Sequence, residues 1–140
     1  IYPKGALDTE RISTFTGRQD DEQFLQNIIY MKGVPDIIID DASHFCSLTI
    51  KSFQILFPLL KKGGVYVIED ISTSYRWDFE GSIMLDNMQL PTTMNYLFSM
   101  LHSLNPIQQV AAASYQKPEE FKEIESIHFY PDMVVIKKKL

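Results

Sequence analysis

Two acidic doublets sit at the downstream ends of two short apolar runs. Asp40-Asp41 closes Asp36-Ile37-Ile38-Ile39, and Glu69-Asp70 closes Val65-Tyr66-Val67-Ile68. Short runs rich in β-branched residues, each next to a helical pattern, read as buried parallel strands. Ligands of open α/β sheets bind beyond the carboxyl ends of such strands. If the two strands are neighbours, four carboxylates converge within about 5–10 Å, given a strand spacing of roughly 4.8 Å. Carboxylates that close raise one another's pKa values unless a cation lies among them. A divalent metal held by oxygen is therefore the chemistry these positions ask for. His44 follows Asp41 by three residues, and histidine is the side chain that ordinarily titrates closest to neutrality. One acidic doublet after a strand is commonly a helix cap or a solvated turn; its repetition after the next strand argues for a site.

The elements that must position these residues follow from periodicity. Arg11–Thr16 alternates polar and apolar residues and reads as a short strand. Asp20 or Asp21 then caps a helix to about Met31, with Phe24, Leu25, Ile28 and Ile29 on one face. Gly33-Val34-Pro35 breaks it, and the strand ending in Asp40 follows. A second helix, from about Ser47 to Leu60, buries Ile50, Phe53, Phe57 and Leu60. Lys61-Lys62-Gly63-Gly64 stops it. After Glu69-Asp70 comes a long polar and aromatic loop, then a helix near Thr93–Ser103. Residues 105–120 are poorly patterned. Glu125–Tyr130 and Met133–Lys138, joined at Pro131-Asp132, read as an antiparallel hairpin. This alternation predicts an α/β fold: a single domain over residues 1–140, with a three-layer, mostly parallel sheet and an antiparallel end.

Composition excludes several classes. A 140-residue chain that is 45% hydrophobic and 22% charged is ordinary for a globular domain. Its net charge of -5 argues against a nucleic-acid partner. No apolar run approaches the roughly 20 residues of a membrane span. No signal peptide precedes the domain, and the single Cys46 cannot form an internal disulfide. A soluble, cytoplasmic protein is the expectation. Cys46 reads as a small core filler, while His102 and His128 lack acidic neighbours and read as structural or exposed.

The motifs carry a resemblance. Ile37-Ile38-Ile39-Asp40-Asp41-Ala42-Ser43-His44 resembles the I-I-D-D-G-S-H signature of macrocin and mycinamicin type sugar O-methyltransferases. Val67-Ile68-Glu69-Asp70-Ile71-Ser72-Thr73-Ser74-Tyr75 resembles their V-I-E-D-L-H-T-S-Y. Upstream, Gly17-Arg18-Gln19-Asp20-Asp21 with Phe24-Leu25 is similar to G-D-Q-x-D-x-x-F-L, and the terminal hairpin also matches. Ala42, Ser72 and Arg18 depart from the pattern, standing for Gly, His and an acidic residue.

The resemblance implies a class I S-adenosylmethionine-dependent methyltransferase fold with Rossmann-like topology. It implies that Asp41, Glu69 and Asp70 hold Mg2+, that His44 is the general base, and that Gln19 and Asp20 lie near the adenine of the cofactor. Asp40 is expected to support the cofactor side of the site or to bond backbone, because adjacent strand residues point to opposite faces. Tyr75 and Trp77 fall where an acceptor would arrive, a hydroxyl of a sugar or glycosylated natural product. The fold's sheet order is 3-2-1-4-5-7-6, and this chain supplies a counterpart only from strand 3 onward. The glycine-rich loop after strand 1 has no counterpart either: no G-x-G occurs in the 140 residues. Three explanations stay open: a longer parent, a homo-oligomer in which a second copy supplies strands, or a domain repurposed as a non-catalytic scaffold or oligomerisation module. A receiver-like or phosphatase-like magnesium site is a further alternative, although the D-x-D-x-T nucleophile pattern of the latter is absent.

Overall fold

The computed structural model describes residues 9–83, 90–104 and 118–140. The elements run α1 (Glu22–Lys32), β1 (Ile37–Asp40), α2 (Cys46–Leu59), β2 (Val65–Glu69), two 3-10 turns (Ile71–Tyr75 and Trp77–Phe79), α3 (Thr93–Ser103), α4 (Glu119–Lys122), β3 (Ile124–Tyr130) and β4 (Met133–Lys138). The sheet order is β1-β2-β4-β3. β1 and β2 are parallel, with Asp40 opposite Ile68, and both other pairings are antiparallel. This mixed order is what the 4-5-7-6 end of the implied topology requires.

The ends of α1 and the start of α3 have local causes. Asp21 caps α1 by accepting the Phe24 N–H at 3.0 Å, and Gly33 ends it at φ 93°. Thr92 caps α3 in the same way through the Asn95 N–H. After α2, a β-carbon on Gly64 would lie 2.8 Å from the Lys61 carbonyl and 2.9 Å from the Asp36 carbonyl. Glycine there lets the chain turn tightly into β2.

The period-2 alternation of the strands sorts their side chains. Ile38, Asp40, Tyr66, Ile68, Val134 and Ile136 share one face. Phe53 and Phe57 of α2, Leu97 and Met100 of α3, and Phe121 of α4 join that face in one core. Tyr66 lies edge-on to Phe53, 5.1 Å between ring centres. α1 stacks beside α2, and its apolar stripe is half-buried. On the opposite face Ile37 and Ile39 are 63% and 60% exposed. Burial on both faces was expected of β1. Among the described residues the helical core packs against one face only.

Arg11–Thr16 forms no strand. Residues 10–14 are exposed, and Thr9 and Ile12 instead exchange backbone hydrogen bonds at 2.8 and 3.3 Å. An alternating pattern makes a strand only where a neighbour pairs its backbone groups, and among the described residues β1 pairs only with β2. The expectation for residues 105–117 lies outside the described residues.

A buried cation ties the hairpin to α2. Lys138 is 5% exposed, and its Nζ donates to the carbonyls of Phe57 (3.1 Å), Pro58 (2.7 Å) and Leu60 (3.0 Å). Glu123 neutralises it at 2.7 Å. A cation suits a helix carboxyl terminus because the last carbonyls lack intrahelical donors. Lys138→Met should destabilise the fold by about 2–4 kcal/mol, since it leaves those carbonyls and Glu123 without their donor. Urea denaturation checks this; a loss under about 0.5 kcal/mol, the range of ordinary surface substitutions, would show that water replaces the ammonium.

Candidate metal centre

β1 and β2 end side by side, and strand alternation splits each doublet. Asp40 turns into the core at 9% exposure, where its Oδ2 accepts the Tyr66 hydroxyl at 3.1 Å. Asp41 turns outward. Glu69 is the last residue of β2 and points to the face opposite Tyr66 and Ile68. Asp70 leaves the strand in the left-handed conformation, φ 53° and ψ 40°. That turn brings its carboxylate toward Asp41.

His44 completes the cluster, also with a left-handed backbone at φ 60°. Its Nε2 lies 3.4 Å from Asp70 Oδ2 and 3.8 Å from Asp41 Oδ1. Asp41, His44 and Asp70 each offer a ligand atom, all within 4.8 Å of one another. Two carboxylates so disposed fit a hard divalent cation, which prefers oxygen donors and keeps several waters. Both are more than half exposed, so solvent reaches the point where they converge. Glu69 lies outside this cluster.

The loop carrying Asp41 and His44 is held from a distance. Gln19 accepts the Ser43 N–H through Oε1 at 3.0 Å, and its amide nitrogen donates to Ser52 Oγ at 3.1 Å. Both ends of the Gln19 amide are thus bound to protein. Asp20 forms a two-point pair with Arg18 at 2.9 and 2.8 Å, which holds the Asp20 carboxyl below its ordinary range. The residues that the resemblance assigns to adenine therefore border the Asp41 loop in this chain, already engaged with their neighbours. The donor set fits a magnesium ion. For S-adenosylmethionine the described residues supply no comparable cradle.

Three contributors were given no role by the sequence, although Thr73 lies within a matched motif. Phe79 packs edge-on to His44, 6.4 Å between ring centres, and against Phe45 at 5.5 Å, with the Arg76 guanidinium 4.7 Å over its other side. Glu80 Oε2 accepts the Ser47 N–H at 2.8 Å, capping α2 where Phe45 offers no capping side chain. Hydrogen bonding from the Ser47 side chain, and then from its N–H, holds the Glu80 carboxyl below its ordinary range. The Thr73 hydroxyl shares its one proton between the carbonyls of Asp70 at 2.7 Å and His44 at 3.2 Å. None follows a local spacing; each partner comes from a different element. Of the two aromatics placed near the acceptor, Trp77 is 87% exposed and Tyr75 38% exposed, both on the 3-10 turns beside this wall.

No protein-family model matches the chain. Curated relatives do. A tetracenomycin rhamnosyl 3'-O-methyltransferase of Streptomyces olivaceus is 33% identical over 98% of this chain, which covers 35% of the relative. Mycinamicin VI 2''-O-methyltransferase of Micromonospora griseorubida is 33% identical over 99% of this chain and is covered to 34%. Demethylmacrocin O-methyltransferase of Streptomyces fradiae is 32% identical, with similar coverage. Among solved structures, the MycE methyltransferase in complex with Mg, SAH and mycinamycin VI superposes with a TM-score of 0.84 at 31% identity, over 99% of this chain and 34% of that one. The fold is that of a class I methyltransferase, over the region this chain covers. The chain is homologous to the macrocin and mycinamicin type sugar O-methyltransferases and spans about a third of the length of these relatives. No helix among the described residues is long and apolar enough to cross a membrane.

Burial pushes the Asp40 carboxyl up from 3.8 to about 6, against the opposing effects of the Tyr66 hydroxyl and of His44. The folded chain therefore keeps a proton on Asp40 that the unfolded chain releases at lower pH. Stability contributed by this group falls as pH rises from about 4 to 6, by about 3 kcal/mol in all. In metal-free buffer Asp40→Asn should flatten that slope and raise stability at pH 7, while matching the parent near pH 4. Thermal unfolding across this range checks it; an unchanged slope would assign the pH dependence elsewhere.

Proposed function

We propose that this chain forms the metal- and acceptor-binding part of an S-adenosylmethionine- and Mg2+-dependent O-methyltransferase acting on a hydroxyl of a sugar or glycosylated natural product. The observation that carries the reading is the convergence of Asp41, His44 and Asp70 at the ends of two parallel strands. Relatives named for transfer to rhamnosyl, mycinamicin and macrocin acceptors support the acceptor class.

Asp41 and Asp70 would hold the ion, with Glu69, at the end of the strand that Asp70 leaves, as the further carboxylate that could join them. When bound, the magnesium ion lowers the pKa of the acceptor hydroxyl and fixes its direction. His44 receives the hydroxyl proton at Nε2, the atom that faces the two carboxylates. Phe79 keeps one side of that imidazole dry and fixes its plane. Trp77 and Tyr75 offer ring faces on which a sugar can stack. Gln19 and Asp20 border the cofactor, and Asp40 supports the Asp41 turn from the core.

Titration calorimetry with Mg2+ or Mn2+ tests the site. The chain should bind one ion, Asp41→Asn and Asp70→Asn should each weaken binding at least about tenfold, and Glu69→Gln should weaken it less. Failure of the parent chain to bind would favour a scaffold or oligomerisation role. His44→Ala should keep the ion and, in the polypeptide that joins this segment to a methyl-donor site, lower methyl transfer about 10²–10⁴-fold. Unchanged turnover in that variant would remove His44 from the reaction.

A further inference from the structure

We infer that Thr73 is a positioning residue, its single hydroxyl clamping the two left-handed turns that carry the base and a metal carboxylate. The inference rests on the metal-site reading for its consequence, though not for its geometry.

Asp70 and His44 both adopt positive φ, 53° and 60°. A non-glycine residue in that region pays about 1–2 kcal/mol, so such a backbone persists only where surrounding contacts hold it. The two residues lie 26 positions apart in sequence, on loops leaving different strands. Neither turn can hold the other through its own backbone.

Thr73 reaches both. Its Oγ1 lies 2.7 Å from the Asp70 carbonyl and 3.2 Å from the His44 carbonyl, and its own N–H adds a third bond to Asp70 at 3.1 Å. The side chain is 9% exposed, so water does not readily replace it. Its position is itself fixed. Asp132, at the turn of the terminal hairpin, accepts the Ser72 N–H through Oδ1 at 2.7 Å and the Ile71 N–H through its carbonyl at 3.3 Å. Ser74, 1% exposed, accepts the Met94 N–H at the start of α3. The 3-10 turn is therefore pinned on both sides of Thr73, and its hydroxyl can act as a fixed strut.

The consequence is a fixed separation between the carboxylate of Asp70 and the imidazole of His44, now 3.4 Å apart. Loss of the hydroxyl frees each turn to relax toward negative φ and swings both side chains out of register. Groups that orient metal ligands in this way ordinarily contribute about 10–100-fold to affinity.

The test compares Thr73→Val, which keeps shape and loses the hydroxyl, with Thr73→Ser, which keeps it, in the full 140-residue chain. Two readouts are taken. Carbon-13 Cα and Cβ shifts of His44 and Asp70, without metal, report the left-handed backbone. Mn2+ titration reports the site. Thr73→Val should lose the left-handed signature at both residues and weaken Mn2+ at least about tenfold, while Thr73→Ser retains both and the two variants unfold at similar temperatures. Parent-like shifts at both residues in Thr73→Val would overturn the clamp. If the parent itself fails to bind Mn2+, the metal reading fails, and the shifts still decide the clamp. Altered shifts with unchanged Mn2+ affinity would overturn its role in positioning the site.

Discussion

The parallel pairing of β1 with β2 is the constraint from which the rest of the site follows. It sets the ends of two strands side by side and, through side-chain alternation, decides which acid of each doublet faces which way. Asp40 goes inward and is tolerated there because Tyr66, on the neighbouring strand, supplies a hydroxyl. Asp41 goes outward. A slip of one residue would exchange their positions, turning Asp41 into the core and Asp40 out of it. The pair Asp40–Tyr66 thus reports the register that the metal carboxylates require.

Beyond the strand ends, order comes from hydrogen bonds between elements remote in sequence. Gln19 holds the Ser43 backbone, Asp132 holds the start of the first 3-10 turn, Glu80 caps α2, and Thr73 joins the two ligand loops. These frame residues are bonded to backbone groups, whereas the carboxylates of Asp41 and Asp70 stay more than half exposed. The arrangement separates two sets of side chains: one fixes the backbone, and the other stays open to solvent. Left-handed turns at His44 and Asp70 are tolerated because the frame over-determines them.

The sheet is less symmetric than its apolar strands imply. α2, α3 and α4 build one core against Tyr66, Ile68, Val134 and Ile136, while Ile37 and Ile39 look away from it. The chain corresponds to about a third of each relative's length. The same asymmetry explains Arg11–Thr16, whose alternation is genuine but which joins no sheet among the described residues. Alternation states a capacity for pairing; it does not supply the partner.

Element types were legible in the residues because their causes are local. Asp21, Gly33, Thr92 and Gly64 mark where helices start and turns close, and Phe53 and Phe57 mark the buried face of α2, whereas α3 buries Leu97 and Met100 and leaves Phe98 and Leu101 exposed. Two acidic doublets at two strand ends likewise marked a candidate metal centre, since carboxylates in that pattern repel without a cation. The sequence by itself determined the strands, the helices and the chemical character of the site. Tertiary structure alone decided that Asp40 leaves the site, that Asp70 joins it through a left-handed turn, and that Glu69 stands apart from the cluster. It alone brought Thr73, Phe79 and Glu80 to the loops around His44. The physical reason is range: caps and periodicities act within a few residues, whereas side-chain direction at a strand end and the bonds that hold a strained turn depend on groups tens of residues away.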